Sequence, residues 1–166
     1  WYDWGMGNSE IKSFIEYFLN RHLNNPVPNE NNLETLQIDL DKLSFLSNHV
    51  KDTSKYDIDP AKPDAPSFDA SIVTNNLKVL YGDKLGWYNI PDCVSTNVQD
   101  TELLTGDAND DLADIILDLQ SANWEWENNG ESHGLFDFSS NYEIHWGEHL
   151  RNLQWYLWHY IKESDL

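Results

Sequence analysis

The stretch DANDDLADIILDLQSANWEWE, residues 107–127, decides the fold. Its apolar residues recur at helical spacing and mark one face of a helix, while four aspartates at i, i+4, i+7 and i+11 share another face. The apolar set is Leu112, Ile115, Ile116, Leu119 and Trp126, and the acidic set is Asp107, Asp111, Asp114 and Asp118. A helix with one apolar face gains most of its stability from packing against other elements, so the stretch predicts one member of a helical bundle.

The same period predicts further helices on both sides of this one. They cover residues 9–23, 33–50, 69–81 and about 135–162, and the first two form a hairpin joined by a Pro/Asn loop. No segment alternates with period two for long enough to predict a strand. The sequence therefore predicts an all-α bundle of about five helices.

Two polar or aromatic segments connect these helices. Residues 51–68 carry three prolines and mixed charge, which predicts a connector, and residues 83–106 predict an aromatic loop folded back over the bundle. We expect one domain over residues 1–166, in which a helical hairpin (9–50) is linked by the connector to a second helical part (69–166).

The charge of the chain restricts its partners. Twenty-nine acidic residues against ten basic ones give 166 residues a net charge of −19. Nucleic acid and anionic membranes are therefore excluded as expected partners, whereas a basic protein or a bound cation is favoured. The single cysteine, Cys93, forms no internal disulfide, and WYDWGMGNSE (1–10) lacks the basic and apolar regions of a signal peptide. A cytoplasmic location is expected.

A second motif, HWGEHL at residues 145–150, contains H-x-x-E-H, the order found in inverted zinc peptidases. On a helical wheel, His145, Glu148 and His149 lie together on the polar side, so they are candidate metal ligands. A complete site needs a further ligand. His159 lies about 15–21 Å away along the axis, which leaves an aspartate of 107–127 as the alternative. The competing interpretation is a polar helix face whose histidines hydrogen-bond to carboxylates.

Several segments resemble a bacterial family called domain of unknown function 5063. The resemblance is carried by LGWYNI (85–90), DDLADIILDL (110–119), W-x-W-E-N (124–128) and F-x-x-NYEIHWGEHLRNLQWYL (138–157), and it spans about residues 70–162. It implies a helical bacterial protein of the cytoplasm and carries no activity with it. Family members often have a basic residue at the position of His149, which disfavours a zinc peptidase.

Two functional hypotheses follow. No catalytic set is complete, so the first is a non-enzymatic protein, without a cofactor, that binds a cationic protein in the manner of toxin-neutralising immunity proteins. Its contact surface would combine the four aspartates with Trp124 and Trp126. The alternative is a divalent-metal-dependent hydrolase, of the all-α phosphohydrolase kind, that uses Asp111 and Asp114 with the H-x-x-E-H residues. A DNA mimic is a third, less supported option.

Overall fold

Helices dominate the structure, a computed structural model that describes residues 7–50, 53–91 and 102–164. The α-helices are Asn8–Leu19 (α1), Asn32–Ser47 (α2), Ala70–Tyr81 (α3), Ala108–Asn129 (α4), Glu131–Asn141 (α5) and Gly147–Ser164 (α6). Strand in the described residues is confined to one two-stranded sheet, so the all-α prediction is confirmed. The predicted aromatic loop falls partly outside the described residues, at 92–101, and Cys93 lies there too.

Helix α4 contacts α1, α3, α5 and α6, which makes it the element that joins the others. Its apolar face is fully buried at Leu112, Ile115, Ile116 and Leu119. The carboxylate of Asp107 caps its first turn by accepting a hydrogen bond from the backbone N–H of Asn109 at 2.9 Å. The helix ends at Gly130, whose φ of +103° is a conformation that glycine adopts without steric cost.

Helices α5 and α6 form one helical run that is interrupted by a π turn at Tyr142–Trp146. The run begins at Glu131, earlier than the predicted start near Leu135, and the predicted uninterrupted helix is wrong at the π turn. Here the backbone N–H of Gly147 donates to the carbonyl oxygen of Tyr142, five residues back. A Cβ atom at position 147 would lie 2.2 Å from that oxygen, so the turn accepts only glycine there.

The π turn also buries Trp146 completely. Its ring packs 5.3 Å from the ring of Phe138 and 4.8 Å from the ring of Tyr142, measured between centroids. The indole N–H has no hydrogen-bond acceptor among the described residues. Trp146 thus fixes the π turn to the core through apolar contact alone.

The two strands, Trp87–Pro91 (β1) and Leu103–Asp107 (β2), pair antiparallel with Trp87 opposite Asp107. Strand was not predicted for this aromatic segment, because five residues are too few for a clear period of two and the pairing depends on chain folding. Strand β2 runs directly into α4. The sheet is therefore attached to the N-terminal end of that helix.

Of the N-terminal helices, α1 packs on α4, and α2 packs mainly on α6 and also contacts α3. A π segment, Asn20–Asn24, extends α1 and carries the fully buried His22, whose Nδ1–H donates to the carbonyl of Phe18 and whose Nε2 accepts from the hydroxyl of Tyr81, both at 2.8 Å. One hydrophobic core draws residues from all six α-helices. No helix among residues 7–50, 53–91 and 102–164 has the length and apolar character needed to cross a membrane.

Candidate metal centre

The acidic face of α4 meets the histidines at the start of α6. Nδ1 of His145 lies 2.6 Å from a carboxylate oxygen of Asp118, and Nδ1 of His149 lies 2.7 Å from one of Asp111. Asp114 lies between these pairs along α4, and one of its oxygens is 3.5 Å from Nε2 of His149. The two motifs that the sequence offers separately, the aspartate stripe and the histidine pair, therefore form one cluster.

Hydrogen bonding fixes how the imidazole rings are oriented. An ionised carboxylate can only accept, so each Nδ1–H donates to its aspartate, and in the neutral ring Nε2 carries a lone pair. Nε2 of His149 then faces an oxygen of Asp114, which is also an acceptor. Two acceptors at this distance repel each other unless a cation lies between them, whether a proton or a metal ion.

The protonation equilibria reflect this contact. The hydrogen bond to Asp111 is the main cause that raises the pKa of His149 above its usual value of 6.5, and the charge of Asp114 adds to it. Burial raises the pKa of Asp114 and of Asp118, although the nearby histidines oppose that shift. The cluster therefore favours a positive charge at its centre.

Asp111 has a second partner that sequence reasoning missed. The hydroxyl of Tyr88, from β1, donates a short hydrogen bond to its other carboxylate oxygen. Burial, and then this bond to a carboxylate, raise the pKa of Tyr88, so the hydroxyl keeps its proton. The sequence signal was the aromatic segment LGWYNI, but no spacing rule connects it to a residue on α4.

Three residues can supply one ligand atom each to a common ion. Ligand atoms of Asp114, His145 and His149 all lie within 4.8 Å of one another. Glu148, the predicted third member of the motif, is exposed and lies outside this group. In the structure Asp114 takes its place, because α4 packs against α6 beside the histidines.

An open cleft of about 560 Å³ adjoins the cluster. It is bounded by β1, β2 and the starts of α4 and α6, and His149, Asp111 and Glu148 line it together with Asp107 and Asp110. The cleft makes one side of the cluster accessible to a ligand.

The predicted partner surface is divided by the fold. Trp126 is only 8% exposed, because α5 folds back on it so closely that a Cβ atom at Gly134 would lie 2.6 Å from its side chain. Trp126 therefore cannot contribute to an exposed contact surface, whereas its predicted place in the apolar face of α4 agrees with its burial. Trp124 is half-buried and lines a different cleft, between α4 and the end of α1. Asp107, as described above, caps α4.

Comparisons with known proteins bear on the fold. The crystal structure of a protein from Bacteroides fragilis, determined by a structural genomics consortium, superposes with a TM-score of 0.61 and 15% sequence identity, over 90% of this chain and 87% of that one. At this identity the similarity shows a shared fold and nothing more. A scan of protein-family models and a search of curated proteins find no match. The resemblance to domain of unknown function 5063 stays a prediction.

Proposed function

We propose that this protein binds a divalent metal ion, of which zinc is the best fit, through Asp114, His145 and His149, and uses it for hydrolysis. One observation carries the proposal: Nε2 of His149 faces a carboxylate oxygen of Asp114 at 3.5 Å, while Nδ1 of each histidine is held by another aspartate. Metal-binding histidines usually donate their second N–H to a carboxylate in this way, which orients the ring and strengthens the ligand.

The ligand set suits zinc. Ligand atoms about 2.0–2.1 Å from a tetrahedral ion lie about 3.3 Å from each other, close to the Asp114–His149 separation. The widest separation in the group, within 4.8 Å, requires a movement of about 1.5 Å. His145 can make that movement, because its side chain is 48% exposed. Three protein ligands leave one position open for water or substrate, as in catalytic rather than structural zinc sites.

The adjoining cleft supports hydrolysis. A zinc ion lowers the pKa of its bound water to about 7, which supplies hydroxide near neutral pH. Glu148 lines the cleft beside His149 and is the carboxylate best placed to accept a proton from such a water. Asp107 and Asp110 add further negative charge to the cleft, which repels phosphate groups. We therefore expect a neutral or cationic ester or amide as substrate, rather than the phosphoester of the sequence-based alternative.

Zinc titration of chelator-treated protein, followed by calorimetry, tests the binding step. We expect one zinc ion per chain in the parent protein and at least about a tenfold loss of affinity in Asp114→Asn and His145→Ala. His159→Ala is the matched control, because His159 is exposed like His145 but lies farther along α6, outside the cluster. Absence of stoichiometric binding, or an equal loss in the control, would reject the site.

The hydrolytic step needs a separate measurement. The zinc-loaded protein and its Glu148→Gln variant are compared on p-nitrophenyl acetate and p-nitrophenyl phosphate. Turnover of the acetate that depends on both zinc and Glu148 supports the proposal. Tight zinc binding without turnover of either compound would reject hydrolysis and leave only a metal site.

A second function, binding to a basic protein partner, is favoured by a different observation. The chain has a net charge of −19, and its few cations are largely engaged inside the molecule. Of the nine lysines and arginines that the structure describes, six contact carboxylates, polar side chains or aromatic rings, namely Lys12, Arg21, Lys42, Lys55, Arg151 and Lys162. The remaining acidic groups then form an uncompensated field that attracts cationic proteins.

Co-expression with the products of neighbouring genes, followed by affinity capture at low salt, tests this second function. A basic protein that is captured at low salt and released at high salt is the expected result, because added salt screens charge attraction. Capture of no basic protein under these conditions would count against it.

A further inference from the structure

A second cleft, separate from the metal cluster, lies where α6 runs past β1. It encloses about 470 Å³ and is lined mainly by aromatic rings. The residues that form this aromatic cleft are Trp87, Tyr88, Asn89, Trp155, Tyr156, His159, Tyr160 and Glu163. Clefts that bind small groups or side chains in proteins commonly have volumes of about 300–1,000 Å³.

The rings of the aromatic cleft are held in place by contacts outside it. The hydroxyl of Tyr156 donates to the carbonyl of Lys84 at 2.8 Å and accepts from the N–H of Gly86 at 3.0 Å. Its ring stacks on Tyr160 at 5.7 Å and packs against Tyr88 at 5.6 Å. These hydrogen bonds and ring contacts fix the position of Tyr156 in the wall of the cleft.

Two tryptophans flank these tyrosines with large exposed surfaces. Trp87 is 75% exposed and Trp155 is 53% exposed. Large aromatic side chains that remain exposed beside a preformed cleft are typical of the anchor positions of protein interfaces. The aromatic cleft therefore has the composition of a contact site.

The charge of the lining selects a cation. Glu163 contributes a carboxylate, and no lysine or arginine from the described part of the chain lines the cleft. Its one histidine, His159, packs edge-on against the ring of Trp155 at 4.2 Å between centroids. Aromatic faces attract cations through their quadrupole, and a nearby carboxylate adds to that attraction. The same helix already shows this contact outside the cleft, where the ammonium of Lys162 lies 4.9 Å from the ring centroid of Trp158.

We propose that the aromatic cleft is the anchor site for an arginine side chain of a basic protein partner. The inference rests on the second proposed function, partner binding, and is independent of the metal. A guanidinium group is planar and weakly hydrated, so it can stack on Trp155 or Tyr156 and still donate N–H groups to Glu163. A lysine ammonium is a compact, strongly hydrated charge and gains less from such a cleft.

A blocked peptide of alternating glycine and arginine is the probe, with matched lysine and citrulline peptides. Binding is measured by calorimetry in the presence of a chelator, so that the metal site plays no part. We expect the arginine peptide to bind more tightly than the lysine peptide, and citrulline, which lacks the charge, to bind least. Trp155→Ala should lower the affinity for the arginine peptide by about tenfold, which is the size of effect expected from loss of a cation–π contact.

Trp158→Ala is the matched control, because Trp158 is 51% exposed on the same helix but does not line the cleft. The affinity of Trp158→Ala for the arginine peptide should match that of the parent protein. Glu163→Gln, which leaves the aromatic rings in place, should lower the affinity severalfold. Circular dichroism and thermal unfolding establish that each variant is folded.

Three results would overturn the inference. If Trp155→Ala and Trp158→Ala lost the same affinity for the arginine peptide, or if neither lost any, the peptide would bind elsewhere on the acidic surface. The anchor site would then be rejected, and the proposed partner binding would not. No binding of any basic peptide would reject both the anchor site and that function. Binding of free arginine amide as tight as that of the peptide would make the cleft a small-molecule site rather than a docking site.

Discussion

Substituting Gly147 with alanine tests whether the π turn controls the metal cluster. The new methyl carbon would start 2.2 Å from the carbonyl oxygen of Tyr142, whereas Cβ contacts shorter than 3.0 Å essentially never occur. The methyl carbon and the carbonyl oxygen therefore have to move apart by 3.0 − 2.2, or about 0.8 Å. Both are fixed to the backbone, so neither can rotate away as the end of a long side chain would.

This displacement is large compared with the tolerance of a metal site. Ligand distances in metal sites hold to within about 0.2 Å, and Gly147 lies between the two histidine ligands. Both α5 and α6 are packed against α4, so neither can rotate freely to absorb the extra methyl group. We expect Gly147→Ala to lower the free energy of unfolding of the metal-free protein by about 1–3 kcal/mol. Zinc affinity should fall at least about tenfold.

Urea unfolding of the metal-free protein and calorimetric zinc titration measure the two effects. Gly86→Ala is the control, because a Cβ atom there would lie 3.7 Å from the hydroxyl oxygen of Tyr156, an ordinary contact. If Gly147→Ala retained the stability and zinc affinity of that control, the π turn and its proposed link to the site would both be refuted. Lost stability with unchanged zinc affinity would refute the link alone.

Asp111→Ala should weaken zinc binding by about 10–100-fold, because it removes the acceptor that orients His149, and Tyr88→Phe, which removes only the hydrogen bond to Asp111, should weaken it by less. Calorimetry compares both variants with the parent. Burial lowers the pKa of His22 from 6.5 to about 4. Between these two pH values His22 takes up a proton in the unfolded chain but not in the folded chain, so the stability that neutral His22 provides is lost as pH falls. From about pH 7 to about pH 4.5, the free energy of unfolding should therefore fall by about 2 kcal/mol less in His22→Gln than in the parent protein. Urea unfolding at the two pH values measures this, and an equal fall in both proteins would contradict it. Arg21 forms an ion pair with the buried Asp39, at 2.5 Å between nitrogen and oxygen. Arg21→Met should lower the free energy of unfolding by about 3–5 kcal/mol, because it leaves that carboxylate without its cation, and adding Asp39→Leu should restore most of the stability. A double variant as unstable as the single one in urea unfolding would refute the argument.

The helices were predictable wherever one face of a segment is apolar. The period in 107–127 identifies α4 within a residue or two at each end, because its buried leucines and isoleucines recur every three or four positions. The π turn could not be predicted in this way. The π turn adds one residue between α5 and α6, and the rotation about the helix axis that this causes is smaller than the angle covered by an apolar face. The sequence HWGEHL is therefore equally compatible with a regular α-helix.

The residues of the cluster were predicted, and their meeting was one of the alternatives that the sequence left open, but the sequence could not decide between these alternatives. Spacing places His145 beside His149, and Asp111 beside Asp114, on their own helices. Which polar faces then oppose each other depends on how α4 and α6 pack, and that is decided by the apolar faces. For the same reason Tyr88 was missed and Trp126 was assigned to the surface.

The burial of Trp146 gives the protein a built-in optical reporter. This indole is next in sequence to His145 and is shielded from water, while Trp87, Trp155 and Trp158 project into solvent. A water-soluble quencher such as iodide reaches the exposed indoles and spares the buried indoles of Trp146 and Trp126, so the emission that survives quenching comes from the protein interior. If either histidine moved when the metal bound, the emission wavelength and the fluorescence lifetime of that residual signal would change, and no label would have to be attached.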